Sequence, residues 1–499
     1  MSQTQDYDVI IVGAGTAGSV LAARLSEDEN VRVLLIEAGS AVPPAASGRP
    51  PEWQTLVRGP SDGGGPTTVQ AATGTAIHVA RGRGIGGSSA INAMMFARGH
   101  RDSYADWPAG WRFDDLLPHL KRCESARNRD GTLRGVDGPL SVGPADPLNE
   151  ILIAGLSAAE QCGYPAATDI SGGEEVGFGA ADLTIVDGRR QSAADAYLLP
   201  ALGRPNLDLI SDAIVHRLVL RGGRCVGVEF HRTNGKAVFL GGGEVVLAAG
   251  AIGSPHLLML SGVGPGEHLR DVGIDVVHDL PGVGSNLQDH PLTGRIYQAA
   301  QPIPIPQNNH GEAMGLIHTT SKGGAPDLQI LLVDTASVTG VDLPSTYLIG
   351  VSAMQPFSRG SVRLTAATFE RPPAVDPNYL SDDRDWETML EGFRIAREIG
   401  GASALAPWCD GELAPGPTVT DERSLRGFIR ETLSSYFHPA GTCAMGDSEQ
   451  SVVDSTLRVH GLSGLRVVDA SIMPSLPSNN PLATVYGIAE RAAVLIGKS

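Results

Sequence analysis

The stretch YDVIIVGAGTAGSVLAARLSEDENVRVLLIEAG, residues 7–39, decides the fold. YDVIIV is a continuous apolar run, as expected of a strand buried on both faces. TAGSVLAARLSE carries helical periodicity, and VRVLLIEAG reads as a second buried strand. Between the first strand and the helix stands GAGTAG, with Gly13, Gly15 and Gly18. Gly13 permits the tight turn, Gly15 lets backbone approach a pyrophosphate, and Gly18 allows close helix–strand packing. The helix N-terminus then faces the phosphates with its partial positive charge. Glu37 ends the second strand, 19 residues beyond Gly18, where an acid can take ribose hydroxyls. Together these predict a doubly wound α/β dinucleotide-binding unit. An acid in this place disfavours a 2′-phosphate.

The chain has 499 residues, more than one compact core holds, so two domains are expected. Its formal net charge of −17 argues against a nucleic-acid partner, which needs a basic face, and admits a cationic substrate. Cys123, Cys162, Cys225, Cys409 and Cys443 are scattered without a CxxC, fitting reduced thiols and a cytoplasmic location. The first apolar run ends in a glycine turn and reads as a strand, not a leader. No stretch approaches the ~18 apolar residues of a membrane helix.

Further along, residues 40–76 are rich in Gly, Pro, Ser and Thr and read as a long surface loop or lid. Residues 80–99 are expected to form a second glycine turn, within RGRGIGGSSAIN (81–92), that feeds an apolar helix. A second set of backbone donors suits a long cofactor. Residues 148–163 predict an amphipathic helix closed by Gly163. Two β-rich stretches, 207–230 and 236–250, precede a glycine turn and a helix. QPIPIPQNN, 301–309, is irregular; short alternating runs over 325–380 predict an antiparallel sheet, and RDWETMLEGFRIAREIGG a helix.

These segments carry a family resemblance. HVARGRGIGGSSAINAMMFARGHRDSYADW (78–107), GAIGSPHLLMLSGVG (250–264), LPGVGSNLQDHP (280–291), FHPAGTCAMG (437–446) and GLRVVDASIMPSLPSNNPLATVYGIAERAA (464–493) resemble, in order, the motifs of the glucose–methanol–choline oxidoreductases, FAD-dependent alcohol oxidases and dehydrogenases. The resemblance runs from about residue 7 to 493 and is loose over about 295–435. It implies a discontinuous flavin domain (1–150, 196–294 and 438–499) and an α+β substrate domain with an antiparallel sheet (151–195 and 295–437).

The resemblance also implies the site. His438 in FHP is the base and Asn480 its polar partner; Asn479 is the neighbouring alternative. A neutral imidazole takes the hydroxyl proton as the carbon releases hydride, and an amide holds the oxygen without competing for the proton. Noncovalent FAD is expected, because Ile91 stands where some members carry a linking His. The residues expected to surround it are Gly13, Gly15, Thr16, Ala17, Gly18, Glu37, Ala38, Arg83, Gly86, Gly87, Ser88, Asn92, Ala93, Val215, Ala249, Gly250, Asp469, Ala470, Pro481 and Leu482. Thr484 would open the last helix. Leu482 replaces a second Asn of some members, removing a polar group from the site. For His290 a structural role is expected, for Trp107 and Trp111 packing, and Phe437 is placed to shape oxygen access. The function implied is oxidation of an alcohol, bulky or cationic, to aldehyde or ketone, with oxygen or an electron carrier as acceptor. A hydroxynitrile-lyase-like flavoprotein is the non-redox alternative.

Overall fold

In the computed structural model the described residues are 7–232, 238–319, 323–340 and 343–498. β1 (Tyr7–Val12), α1 (Thr16–Leu25) and β2 (Val33–Ile36) fall where the apolar runs put them, and β2 is buried along its whole length. A parallel sheet runs in the order Leu207–Ile210, β2, β1, Val238–Leu247, Leu465–Val467. Its carboxyl ends converge on the GAGTAG turn, where the chain order reverses and a ligand crevice forms.

The strand Val238–Leu247 serves two pairings. Its first half extends the antiparallel strands Ala213–Arg221 and Arg224–Arg232, and from Gly242 onward it runs parallel to β1. Glycines make the switch possible: a Cβ on Gly242 would stand 2.8 Å from the Ile10 side chain, and one on Gly243 2.8 Å from the Asp8 carbonyl. The expected stretch 236–250 begins outside the described residues, as do residues 341–342 of the alternating region.

The second sheet is antiparallel, in the order Cys409–Ala414, Pro291–Ala299, Thr346–Ala353, Leu328–Val333, Ala313–Ile317, Gly177–Ala180. Its period-2 side chains separate two cores. Leu328, Ile330 and Leu332 face the helix Asp383–Gly400, while Leu331 and Val333 join a separate cluster with Ile296 and Leu348. Gly392 lets that helix lie flat, since a Cβ there would meet Val351 at 2.4 Å. Ser434–Ser435 pairs with Pro291–Leu292, so the sheet edge leads straight into His438.

Three expectations change. Residues 40–76 are not one loop: they hold 3-10 turns at Ala45–Gly48 and Pro50–Leu56, and Gly65–Val69 pairs with Ala76–Val79. The apolar helix expected after the glycine turn within 80–99 is absent. Only one 3-10 turn, Gly87–Ala90, forms there, because Gly86 (φ 83°), Gly87 (φ 52°) and Met94 (φ 58°) are left-handed and break helical geometry. The strand Pro291–Ala299 belongs whole to the antiparallel sheet, so a boundary at 294 would cut it in mid-strand. The helices Glu150–Gln161 and Gly250–Leu260 and the irregular 301–309 stand as expected. Among the described residues no helix is long and apolar enough to cross a membrane.

A Cβ on Gly18 would sit 1.8 Å from the Gly13 carbonyl oxygen, so α1 cannot keep its seat on β1 without glycine there. Gly18→Ala is expected to cost about 3 kcal/mol or more and to release flavin. Urea unfolding and the flavin absorbance of the purified variant measure both. A wild-type midpoint with full flavin would contradict this packing.

Candidate active site

Three turns are tied together by one carboxylate. Glu37 is buried; its Oε2 accepts from Ala14 N (2.8 Å), and its Oε1 from Gly39 N and Gly84 N (2.9 Å each). Gly87 then approaches Gly15 so closely that a Cβ on it would stand 2.7 Å from the Gly15 Cα. Glu37 does line the cavity, but most of its hydrogen-bonding capacity goes to backbone, leaving Oε2 with a free lone pair for a ribose hydroxyl. Arg83 is similarly occupied, donating to the Ala38 carbonyl at 3.0 Å through Nη2.

A single cavity of about 1050 Å³ runs from these turns to His438. Its walls include Gly13, Gly15, Thr16, Ala17, Glu37, Ala38, Arg83, Gly87, Ser88, Asn92, Ala93, Val215, Ala249, Gly250, Asp469, Ala470, Pro481 and Leu482. Gly18 and Gly86 lie outside the wall. Gly18 packs under Gly13, and Gly86 donates its N–H to the Ala14 carbonyl (2.8 Å) with its Cα turned to Ser192, so both shape the turns without contacting the cavity. Asp469 caps two helices: Oδ2 accepts from Gly250 N (2.9 Å) and Ser254 Oγ (2.5 Å), and Oδ1 from Ser471 N (2.8 Å). Burial raises its carboxyl pKa. Asn92 Oδ1 accepts from Met94 N (3.0 Å) and Arg190 Nη1 (2.6 Å).

This cavity fits FAD. It exceeds the ~300–1,000 Å³ of ordinary ligand pockets, as a dinucleotide plus a substrate requires. The first turns of α1 and of the helix Leu482–Ile496 open onto it, each offering N–H groups without intrahelical partners. Ile91 presents only hydrocarbon, so no covalent link forms there.

At the far end the ring nitrogens form a chain. His290 Nε2 lies 3.1 Å from the Met354 carbonyl, which only accepts, so that nitrogen carries the proton. Full burial lowers the His290 pKa to about 3, so the ring is neutral and its Nδ1 is a bare acceptor. His438 Nδ1, 2.9 Å away, must therefore donate. That leaves a lone pair on His438 Nε2, facing Asn480 Nδ2 at 3.2 Å. Burial, and then His290, hold the His438 pKa well below the usual histidine value.

Neighbouring groups hold this geometry. The buried Asp289 accepts from His438 N (2.8 Å) and Ser435 Oγ (2.5 Å) and from the Tyr379 hydroxyl; burial raises its carboxyl to about 6. Ser435 Oγ in turn accepts from Phe437 N (2.8 Å), holding Phe437 at a left-handed φ of 63°. Tyr436 lies tilted on the His438 ring, centroids 4.3 Å apart.

The structure brings Asn480, not Asn479, to His438. Asn479 turns its Oδ1 to Gln329 Nε2 (2.9 Å) and to Asn480 N (3.0 Å), away from the cavity. The last helix begins at Leu482; Thr484 lies in its first turn, bonded to the Tyr104 hydroxyl (2.7 Å). Trp107 and Trp111 are buried packing residues outside the cavity, as expected. His290 is buried outside the cavity wall, bonded to His438 Nδ1 and the Met354 carbonyl. Asp289 escaped sequence reasoning; its only signal was adjacency to His290 in QDHP.

Comparisons with known proteins identify the family. The sequence matches the two GMC oxidoreductase profiles over residues 7–292 and 356–489. It is 37% identical to oxygen-dependent choline dehydrogenase 1 of Chromohalobacter salexigens, over 99% of this chain and 95% of that protein. It is 38% identical to the mitochondrial choline dehydrogenase of Homo sapiens, over 99% of this chain and 90% of that protein. The structure of pyridoxine 4-oxidase from Mesorbium loti superposes with a TM-score of 0.94 at 37% identity, covering 98% of this chain and 99% of that one. A glycine cradle continuous with a histidine–amide pair, in a chain matched end to end by such relatives, makes this protein a member of the GMC oxidoreductase family, an FAD-dependent enzyme that oxidises CH–OH donors.

Proposed function

We propose that His438 Nε2 removes the hydroxyl proton of the alcohol while Asn480 Nδ2 donates to the same oxygen. The observation that carries this reading is the 3.2 Å approach of those two atoms at the cavity wall. An incoming hydroxyl would donate to the lone pair that Asn480 now faces and accept from the amide, so one oxygen replaces their mutual contact. Bound FAD supplies the hydride acceptor. Once protonated, His438 keeps Nδ1–H on His290, so the ring need not turn. Pro481 and Leu482 bring the N-terminus of the last helix to the cavity, where its partial positive charge favours developing negative charge.

In this reading the parallel-sheet segments hold the flavin and the antiparallel sheet covers the alcohol. The division is that expected from sequence, with the boundary near 294 moved to precede Pro291 so that the strand stays whole. Oxygen is the proposed terminal acceptor, supported by the oxygen-dependent and oxidase activities that two of the relatives are named for. Peroxide formed in proportion to alcohol consumed is the expected outcome; turnover only with an artificial electron carrier would contradict it.

His438→Ala is expected to retain flavin and to slow anaerobic flavin reduction about 10²–10⁴-fold. Reduction at the wild-type rate would remove the base from the mechanism. His290→Leu takes away the acceptor that orders the His438 tautomer, and reduction is expected to fall about 10–100-fold with flavin content unchanged. The pH profile supplies a further check. A base must be unprotonated to act, so rate rises with pH through its pKa and is flat above it. With the His438 pKa well below the ordinary value, wild-type reduction is expected to be flat from about pH 6.5 upward. A rate still climbing between about pH 7 and 9 would contradict a lowered base pKa.

A further inference from the structure

We infer that Gln329 is a positioning residue for the reaction: it fixes the Asn480 amide with its NH2 toward His438 and its oxygen turned away. This rests on proton removal at His438. Gln329 stands on the strand Leu328–Val333, on the face it shares by alternation with Leu331 and Val333. Those two line the cavity, and Gln329 is fully buried beside Asn479 and Asn480. A polar side chain on that face loses its hydration, so its hydrogen bonds have to offset the loss.

The direction of every amide here follows from one backbone donor. Asn480 N stands 3.0 Å from the Asn479 side chain; an N–H needs an acceptor, so the atom facing it is Oδ1. Gln329 lies 2.9 Å from that same oxygen and therefore turns its Nε2 to it. The same Nε2 is 3.5 Å from the Asn480 side chain, where it again calls for an oxygen. Asn480 Oδ1 is thereby drawn to Gln329, and Nδ2 is left for His438 Nε2 at 3.2 Å. Met314 Sδ, 3.3 Å from Gln329 Nε2, is a further acceptor and agrees with this direction.

From the other side, the Met354 carbonyl sets His290, and His290 sets His438 with a lone pair on Nε2. The two series start from a backbone N–H and a backbone C=O, and they meet with a donor facing an acceptor. Turning Gln329 over would press its oxygen against two amide oxygens. Turning Asn479 over would set its NH2 against the Asn480 N–H. The direction adopted has a cost: among the described residues Gln329 Oε1 and Asn479 Nδ2 are buried without partners. An apolar residue at 329 would avoid part of that cost and pack as Leu331 does, so packing alone does not call for glutamine. For the chemistry the direction matters. An Asn480 amide turned over would offer its oxygen to the Nε2 lone pair and to the developing alkoxide, and repel both.

The test is ¹⁵N NMR of the flavin-loaded enzyme, with labelled histidine and asparagine, on wild type, Gln329→Glu and Gln329→Met. In wild type His438 Nε2 is expected to be bare between about pH 5.5 and 8.5. Burial raises the pKa of the carboxyl introduced by Gln329→Glu above its ordinary ~4.3. While protonated, that carboxyl can donate in place of the amide. Once ionised it only accepts, so it takes the Asn480 NH2 and turns the Asn480 oxygen to His438. Nε2 is therefore expected to gain a proton as pH rises, the reverse of an ordinary titration. Tyr436, the other ionisable group at Asn480, is held protonated by burial across this range. Gln329→Met removes the donor and adds no charge; the Asn480 side-chain amide protons are then expected to exchange with water at least ~10-fold faster. Where Gln329→Glu loses flavin, Gln329→Met decides. A bare Nε2 at every pH in Gln329→Glu, or wild-type exchange in Gln329→Met, would overturn the inference and leave His438 as the base. A protonated Nε2 in wild type would overturn proton removal at His438 and the inference with it.

Discussion

The architecture depends on the Glu37 carboxylate. It gathers backbone N–H groups from three turns, at Ala14, Gly39 and Gly84, that the chain brings from the ends of β1 and β2 and from the second glycine segment. A buried carboxylate that accepts from several backbone amides is held far more firmly than a surface ion pair. Once these turns meet, Gly15 and Gly87 are pressed backbone to backbone. The cofactor cavity is what remains between them and the antiparallel sheet.

That sheet joins the parallel one at the reacting end. Ser434–Ser435 is its edge, and Asp289, adjoining the strand Pro291–Ala299, fixes both His438 N and Ser435 Oγ. His438 is thus positioned from the antiparallel sheet, while the glycine turns come from the parallel one. Burial makes His438 a weak base and keeps it unprotonated at neutral pH, with His290 deciding which nitrogen is available.

Much of this was legible in sequence. The β1–α1–β2 unit follows from apolar runs and glycine spacing, and the motif order located the His438–Asn480 pair. Other features are determined by partners distant in the chain. His290 meets the His438 ring across 148 residues, so nothing in QDHP alone reveals that contact. The choice between Asn479 and Asn480 depends on which amide the loop turns toward His438, 42 residues away in the chain, and both also reach Gln329 of the other sheet. The apolar stretch after Gly87 looks helical by composition, but left-handed residues on both sides of it interrupt the helix. The strand Pro291–Ala299 is buried on both faces over most of its length, which hides the alternation that would have placed its start.

Neutral His438 carries its proton on Nδ1, toward His290, and leaves Nε2 bare at the cavity. The most direct measurement is ¹⁵N NMR of the histidine side chains in the flavin-loaded enzyme, with His438 assigned by comparison with His438→Ala. Nδ1 is expected to be protonated and Nε2 unprotonated at neutral pH. A protonated Nε2, whether in the other tautomer or in an imidazolium, would contradict it.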